Sequence, residues 1–222
     1  MAEEKNAAKG AGDLQYIRPG DIERRSFAII TEELGDFPLP AAHAPVVKRV
    51  IHTTADFDYA RNLAFSPDAV ERGLEALRAG ACLVTDTNMA LAGVSKPALE
   101  ALGCTARCFM AEPDVAEEAR RRGLTRAVVS MERAARLPGP LIFAVGNAPT
   151  ALIRLCELIQ EGAVSPALVV GAPVGFVNVV ESKELLLRTP APYIAALGRK
   201  GGSTVAAAVC NALLYQAWGR RV

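Results

Sequence analysis

The stretch LIFAVGNAPTALIRLCELIQEGAVSPALVVGAP, residues 141–173, decides the fold. It opens on the apolar run 141–145 (LIFAV) and closes on a second, 167–171 (ALVVG), with a helical stretch over 149–161 between them. Two short apolar runs separated by a helix form a β-α-β unit, which makes the two strands parallel neighbours in one sheet. Each run ends in a polar, glycine-containing turn: Gly146-Asn147-Ala148-Pro149-Thr150 after the first and Gly171-Ala172-Pro173-Val174-Gly175-Phe176 after the second.

The same alternation continues on both sides. Strands are predicted at 81–85 (ACLVT), 105–110 (TARCFM) and 193–197 (YIAAL), and helices at 113–122, 126–136, 181–188 and 203–217. Upstream of Gly80 the pattern is helical. One segment runs from about Asp21 to Leu34 and another from about Ala41 to Thr53, with Val46, Val47, Val50 and Ile51 as its apolar stripe. Ser66-Pro67 reads as an N-cap and first helical position, with Gly80 as the stop. These segments predict a flavodoxin-like α/β fold, a doubly wound five-stranded parallel sheet with helices on both faces. Periodicity does not give the strand order. With no repeat and no long linker, residues 16–222 read as a single domain, and residues 1–15 as a disordered tail rich in Ala, Lys, Glu and Gly.

Composition narrows the function. The 222 residues carry 25 Lys and Arg against 24 Asp and Glu. That balance excludes the basic field of a bulk nucleic-acid binder, although a local cluster can still hold an anionic small molecule. No apolar run approaches the ~18 residues of a membrane span, and the N-terminus has no apolar core of a signal peptide. The five cysteines, Cys82, Cys104, Cys108, Cys156 and Cys210, fit no zinc or redox spacing, and Cys104 and Cys108 read as packing residues. A reducing cytoplasm is the expected compartment.

Open parallel sheets bind ligands beyond the carboxyl ends of their strands. Three glycine turns fall there: the two quoted above, and Gly198-Arg199-Lys200-Gly201-Gly202-Ser203 after the fifth strand. Glycines admit close approach, and helix N-termini favour anions, so the turns can offer N–H groups to a ligand with several carboxylates. Plain chain reversal uses the same residues, and none of the turns matches a phosphate loop or dinucleotide fingerprint. Of the two histidines, His43 reads as a surface or capping residue. His52 lies three residues after Arg49 on one helix face, a pairing suited to proton exchange with an anionic ligand, although a structural histidine fits the spacing too. Arg126 begins a helix, where its charge opposes the helix dipole, so it can serve to reach a carboxylate or stand as an ordinary surface arginine. Ser26, by position, is a solvent-facing helix residue.

The same segments resemble the precorrin-8X methylmutase family of cobalamin biosynthesis. The matching pieces include Tyr16-Ile17-Arg18, Ile22-Glu23, Ser26-Phe27-Ala28-Ile29-Ile30, the His52 helix and Phe65-Ser66-Pro67. They continue through Thr85-Asp86-Thr87, Gly123 to Arg126, Gly146 to Ala151, Pro173 to Val177, Glu181-Ser182-Lys183-Glu184 and Gly201-Gly202-Ser203. The likeness runs in order from about residue 16 to 215. Lys48 to Tyr59 and Ala196 to Ser203 most resemble the cobalt-precorrin-8 branch of the anaerobic pathway. Asn178-Val179-Val180 departs from the small residues common after Gly-Phe-Val.

The resemblance implies methyl migration from C11 to C12 of a corrin ring. His52 would be the catalytic acid or base, and Ser26, Arg49 and Arg126 the substrate-binding residues. It further implies no protein-held cofactor or metal (any cobalt belonging to the substrate), and a homodimer with its cleft between subunits. Val174, Phe176 and Val177 are candidates for an apolar floor under the ring. The rival readings are a tetrapyrrole carrier without an acid at His52, a flavin or phosphate module using Thr85-Asp86-Thr87-Asn88, and a hydrolase, for which no Gly-x-Ser-x-Gly elbow is present.

Overall fold

The computed structural model describes residues 18–219. The expected tail, residues 1–15, and the Tyr16-Ile17 part of the family pattern lie outside these residues. The helices are α1 (Pro19–Leu34), α2 (Ala44–Thr54), α3 (Tyr59–Asn62), α4 (Ala69–Arg78), α5 (Asn88–Gly93), α6 (Lys96–Ala101), α7 (Pro113–Arg122), α8 (Arg126–Ala134), α9 (Pro149–Gln160), α10 (Val179–Leu187) and α11 (Ser203–Trp218). The strands are β1 (Leu63–Phe65), β2 (Cys82–Thr85), β3 (Thr105–Arg107), β4 (Leu141–Val145), β5 (Leu168–Gly171) and β6 (Tyr193–Ala196).

One mostly parallel sheet has the order β1-β6-β5-β4-β2-β3. Neighbours from β3 through β6 pair in parallel, and β1 pairs antiparallel with β6. Five strands were expected, and the described residues form six. The sixth, Leu63-Ala64-Phe65, is only three residues long and half-buried throughout, so it carries no period that marks a strand. The same region corrects the reading of Ser66. The helix after it begins at Ala69 with Asp68 in the capping position, and Ser66 joins the sheet edge instead. Its Oγ accepts from the Tyr193 N–H at 2.9 Å, and its own N–H donates to the Tyr193 carbonyl at 3.0 Å. The second expected strand is shorter than read, ending at Arg107 rather than 110. The short helices α3, α5 and α6 lie in stretches where no helix was read.

Burial explains the pattern that decided the fold. Every residue of β4 and β5 is buried, because helices cover both faces of the sheet. One apolar core joins α2, α4, α6 and α11 to one face, and a second joins α7 to α10 to the other. Helix α11 is apolar nearly all round, with ten buried residues, because α2, α4, α5 and α6 pack over it while it lies against β4 and β5. Helix α1 packs on α2 and is tied to it by Lys48 Nζ donating to Thr31 Oγ1 at 2.9 Å. Among the described residues no helix is long and apolar enough to cross a membrane.

Strand order reverses between β2 and β4. The chain leaves β2 through α5 and α6 toward β3, and leaves β4 through α9 toward β5, on the other face. Such a reversal opens a crevice at the carboxyl ends of the two strands, where sheets of this kind hold ligands.

Candidate active site

The crevice is filled by the protein itself. Asp86, directly after β2, is 1% exposed. Its two carboxylate oxygens accept the backbone N–H groups of Gly146, Asn147 and Ala148 at 2.8, 2.8 and 2.7 Å. Burial pushes this carboxyl above the usual carboxylate range, while the three N–H groups work in the opposite direction. The anion-binding start of α9 is therefore already capped by the protein's own carboxyl group. The neighbouring turns are equally committed. Gly202 N–H donates to the Ala172 carbonyl at 2.8 Å, Gly175 N–H to the Arg199 carbonyl at 3.3 Å, and Thr87 Oγ1 meets Ser203 Oγ at 2.8 Å. A Cβ on Gly146 would stand 2.7 Å from the Ser203 Cα, and one on Gly201 only 2.3 Å from the Ala172 carbonyl oxygen. These two glycines are required for turn-on-turn packing. The expectation that the glycine turns present free N–H groups to substrate is thus corrected for Gly146 to Ala148, Gly175 and Gly202.

Lys183 anchors the third turn. It is 1% exposed and donates from Nζ to the carbonyls of Gly198 and Lys200, both at 2.8 Å. Burial lowers its pKa to about 8. Lys200, on that turn, reaches Asp56 and Asp58 with Nζ at 2.7 Å from each. The chain segment just beyond His52 is therefore bound to the carboxyl edge of β6.

His52 and Arg49 do share a face of α2, and Phe27 of α1 touches both. The Phe27 ring stacks on His52 with centroids 5.4 Å apart, and the Arg49 guanidinium lies 4.7 Å over the same ring. Tyr215 of α11 takes the other contact with Arg49, at 5.1 Å. His52 is exposed, whereas Arg49 is 8% exposed and ion-paired with Glu23 of α1. That pairing was not legible: Glu23 and Arg49 lie far apart in the chain and on different helices. Ser26 neighbours Phe27 on α1, half-buried rather than fully solvent-facing, with its hydroxyl donating to the Ile22 carbonyl at 3.0 Å. A cavity of about 340 Å³ opens beside Arg49, lined by Phe27, Pro45, Lys48, Tyr215 and Gln216 among others.

The structure thus brings Arg49 and His52 to Phe27, the chain neighbour of Ser26, and Arg126 stands apart. It is exposed at the start of α8, on the other face of the sheet, and donates to the Met110 carbonyl at 3.4 Å. Among the described residues no carboxylate pairs with it. His43 occupies the capping position of α2, as read, without a side-chain cap bond; its half-buried ring stacks flat on Phe65 at 3.9 Å. On the edge beyond β5, Val174, Phe176 and Val177 are 45%, 83% and 77% exposed, and the Arg199 guanidinium lies 5.5 Å from the Phe176 ring.

Taken together, an exposed histidine beside a buried guanidinium on one helix and a bare apolar edge beyond β5 are set on an α/β fold with a mostly parallel sheet. Comparison with known proteins gives the family. The precorrin-8X methylmutase family model matches residues 21–216, and the chain belongs to that family. A cobalt-precorrin-8 methylmutase of Priestia megaterium is 46% identical over 197 residues, covering 89% of this chain and 88% of that one. The protein of the same name from Salmonella typhimurium is 46% identical over 210 residues, covering 91% and 98%. The crystal structure of a precorrin-8X methylmutase from Thermus thermophilus superposes with a TM-score of 0.83 at 42% identity, over 90% of this chain and 97% of that one. Methylmutases are isomerases, and this chain is a methylmutase of cobalamin biosynthesis.

Proposed function

We propose that the chain moves one methyl group from C11 to C12 of cobalt-precorrin-8, or of metal-free precorrin-8X, to give cobyrinate or hydrogenobyrinate. The observation that carries this reading is His52, exposed on α2 and stacked on Phe27, one turn from Arg49. In a 1,5-sigmatropic shift the C11–methyl bond breaks as the C12–methyl bond forms, and the ring double bonds relocate. Composition and oxidation state do not change, so the step draws on no resident cofactor or metal, and any cobalt is part of the substrate. His52 protonates the ring to lower the barrier and recovers the proton as the product tautomer settles.

Arg49, Arg126 and Ser26 bind the acetate and propionate arms, the arginines by charge-assisted hydrogen bonds. An arm that reaches Arg49 shares or displaces Glu23. Val174, Phe176 and Val177 offer an apolar surface to the flat ring. The working unit in this reading is a homodimer with its cleft between subunits; the separation of Arg126 from the His52 cluster within one chain fits a cleft completed by a second copy. The five parallel strands taken alone run in the flavodoxin-like order 2-1-3-4-5, which supports a single domain of that type over residues 16–222. All five cysteines are unpaired, in keeping with a reducing cytoplasm.

The test is incubation of the purified protein with cobalt-containing and metal-free ring substrates, followed by absorption spectroscopy. The expected outcome is conversion, faster with the cobalt ring. A ring that is bound and never converted would establish the carrier reading instead.

A further inference from the structure

The His52 end of α2 is not held by packing alone. The helix ends at Thr54, and Ala55 turns the chain in the left-handed region, φ 53°, with its N–H on the Ile51 carbonyl at 2.7 Å. The loop that follows is stitched by short bonds: Asp56 N–H to Thr54 Oγ1 at 3.2 Å and Asp58 N–H to Asp56 Oδ1 at 3.0 Å. Lys200 then clamps both carboxylates, Asp56 and Asp58, at 2.7 Å each. Its hydrogen bond holds the Asp56 carboxyl below the usual range.

The far side of the clamp is rigid. Lys183, buried, holds the carbonyls of Gly198 and Lys200, and Gly201 is wedged against the Ala172 carbonyl. An exposed ion pair of this kind adds little to global stability. What it supplies is a fixed distance between the sheet edge and the end of the helix that carries His52. A proton donor on a frayed helix end would lose the alignment that proton transfer needs.

We propose that Lys200 is a positioning residue for His52, acting through Asp56 and Asp58, with Lys183 as the buried post that fixes the turn on which Lys200 stands. The proposal rests on the reading of His52 as the proton carrier. It assigns Lys200 no contact with the reacting atoms.

The experiment uses the full-length protein and the cobalt-containing ring, and measures single-turnover rate and ring affinity for Lys200→Met, Lys200→Arg, His52→Ala and the Lys200→Met/His52→Ala double variant. Lys200→Met is expected to lower the rate about 10- to 10²-fold while ring affinity stays within about twofold. Lys200→Arg, which keeps the charge, restores most of the rate. In the His52→Ala background, Lys200→Met is expected to change the residual rate by less than about twofold, because the residue through which it acts is gone. The Asp56→Asn/Asp58→Asn variant cuts the clamp from the other side and reproduces the Lys200→Met loss should that variant fold poorly. A Lys200→Met protein at the normal rate, a loss carried entirely by ring affinity, or an undiminished loss in the His52→Ala background each overturns the proposal. Should Lys200→Met be normal while His52→Ala is inactive, only the positioning role falls. Should His52→Ala turn over normally, the His52 reading falls and this inference falls with it.

Discussion

Two regions of the molecule have opposite characters. At the β2–β4 crevice the backbone N–H groups at the helix start are held from within: Asp86 caps the turn 146–148, and Gly146 and Gly201 let neighbouring backbones touch. At the corner made by α1, α2 and α11, polar groups stand half open around one aromatic ring, with His52 exposed and a cavity beside Arg49. The first region has the geometry that doubly wound sheets offer to phosphates, and the protein has closed it with its own carboxylate. A flavin or phosphate module through Thr85 to Asn88 is therefore the poorer reading of this fold, because an incoming anion would meet Asp86 already seated. The difference teaches that the switch point here is occupied by the protein's own carboxyl group, while the exposed histidine stands on a helix face elsewhere.

The comparison can be broken most forcefully at His52. His52→Ala is expected to lose about 10²–10⁴-fold in turnover, the usual worth of general acid–base assistance, while ring affinity persists. His52→Asn should fail alike, since an amide cannot cycle a proton near neutral pH, and His43→Ala should match the parent protein. Paired titration and single-turnover measurements on the same preparations check this, and a normal rate for His52→Ala would remove the mechanism.

Next in size is the closed crevice. Asp86→Ala strips three buried N–H groups of their acceptor, and unsatisfied buried groups cost about 1–3 kcal/mol each before relaxation or water entry offsets part of it. A loss of about 3 kcal/mol or more in urea unfolding is expected, with activity changing in proportion to folded protein. A variant as stable as the parent would show that Asp86 is not the cap described here. The arginines come third. Arg49→Ala or Arg126→Ala should weaken ring binding by about 1.5–3 kcal/mol, the range for hydrogen bonds to charged groups, and the effect should shrink as the ring arms are esterified. Equal binding of free-acid and esterified rings by both variants would defeat the carboxylate role.

The smallest effect concerns Lys183 and pH. Burial lowers its folded pKa to about 8, whereas the unfolded chain keeps the proton up to the ordinary lysine range. Between the two values the unfolded state binds more protons, so this residue's contribution to stability rises with pH, by up to about 1 kcal/mol per pH unit. It begins near pH 8 and is complete near the unfolded value; below pH 8 the full cost of burying the charge is present. Urea midpoints at pH 7.5 and 9.5 should show this rise in the parent protein and not in Lys183→Met. Superimposable pH profiles for the two proteins would mean that Lys183 is not buried as a charge.

Much of the fold was legible in the sequence because burial on both faces leaves a simple signature. Leu141 to Val145 and Leu168 to Gly171 are apolar at every position, and the helix between them is long enough to read. The edge strand Leu63 to Phe65 was not legible, since three half-buried residues carry no period, and it forms a strand only by pairing with β6, far along the chain.

The site divides in the same way. Local helix geometry alone placed Arg49 and His52 on one face, because residues three apart on a helix are neighbours wherever the helix goes. The partners of these residues come from elsewhere in the chain: Glu23 and Phe27 from α1, Tyr215 from α11, Asp86 for the turn after β4, and Lys183 beneath the turn that carries Lys200. Charge and spacing could not show that Lys183 is buried or that the glycine turns hold one another, since both depend on which surfaces meet after the sheet closes. The sequence by itself determined the parallel sheet and the pairing of histidine with arginine, both consequences of local period. Only tertiary structure decided which anion sites are already filled, because a hydrogen bond between distant residues exists only once folding has brought donor and acceptor together.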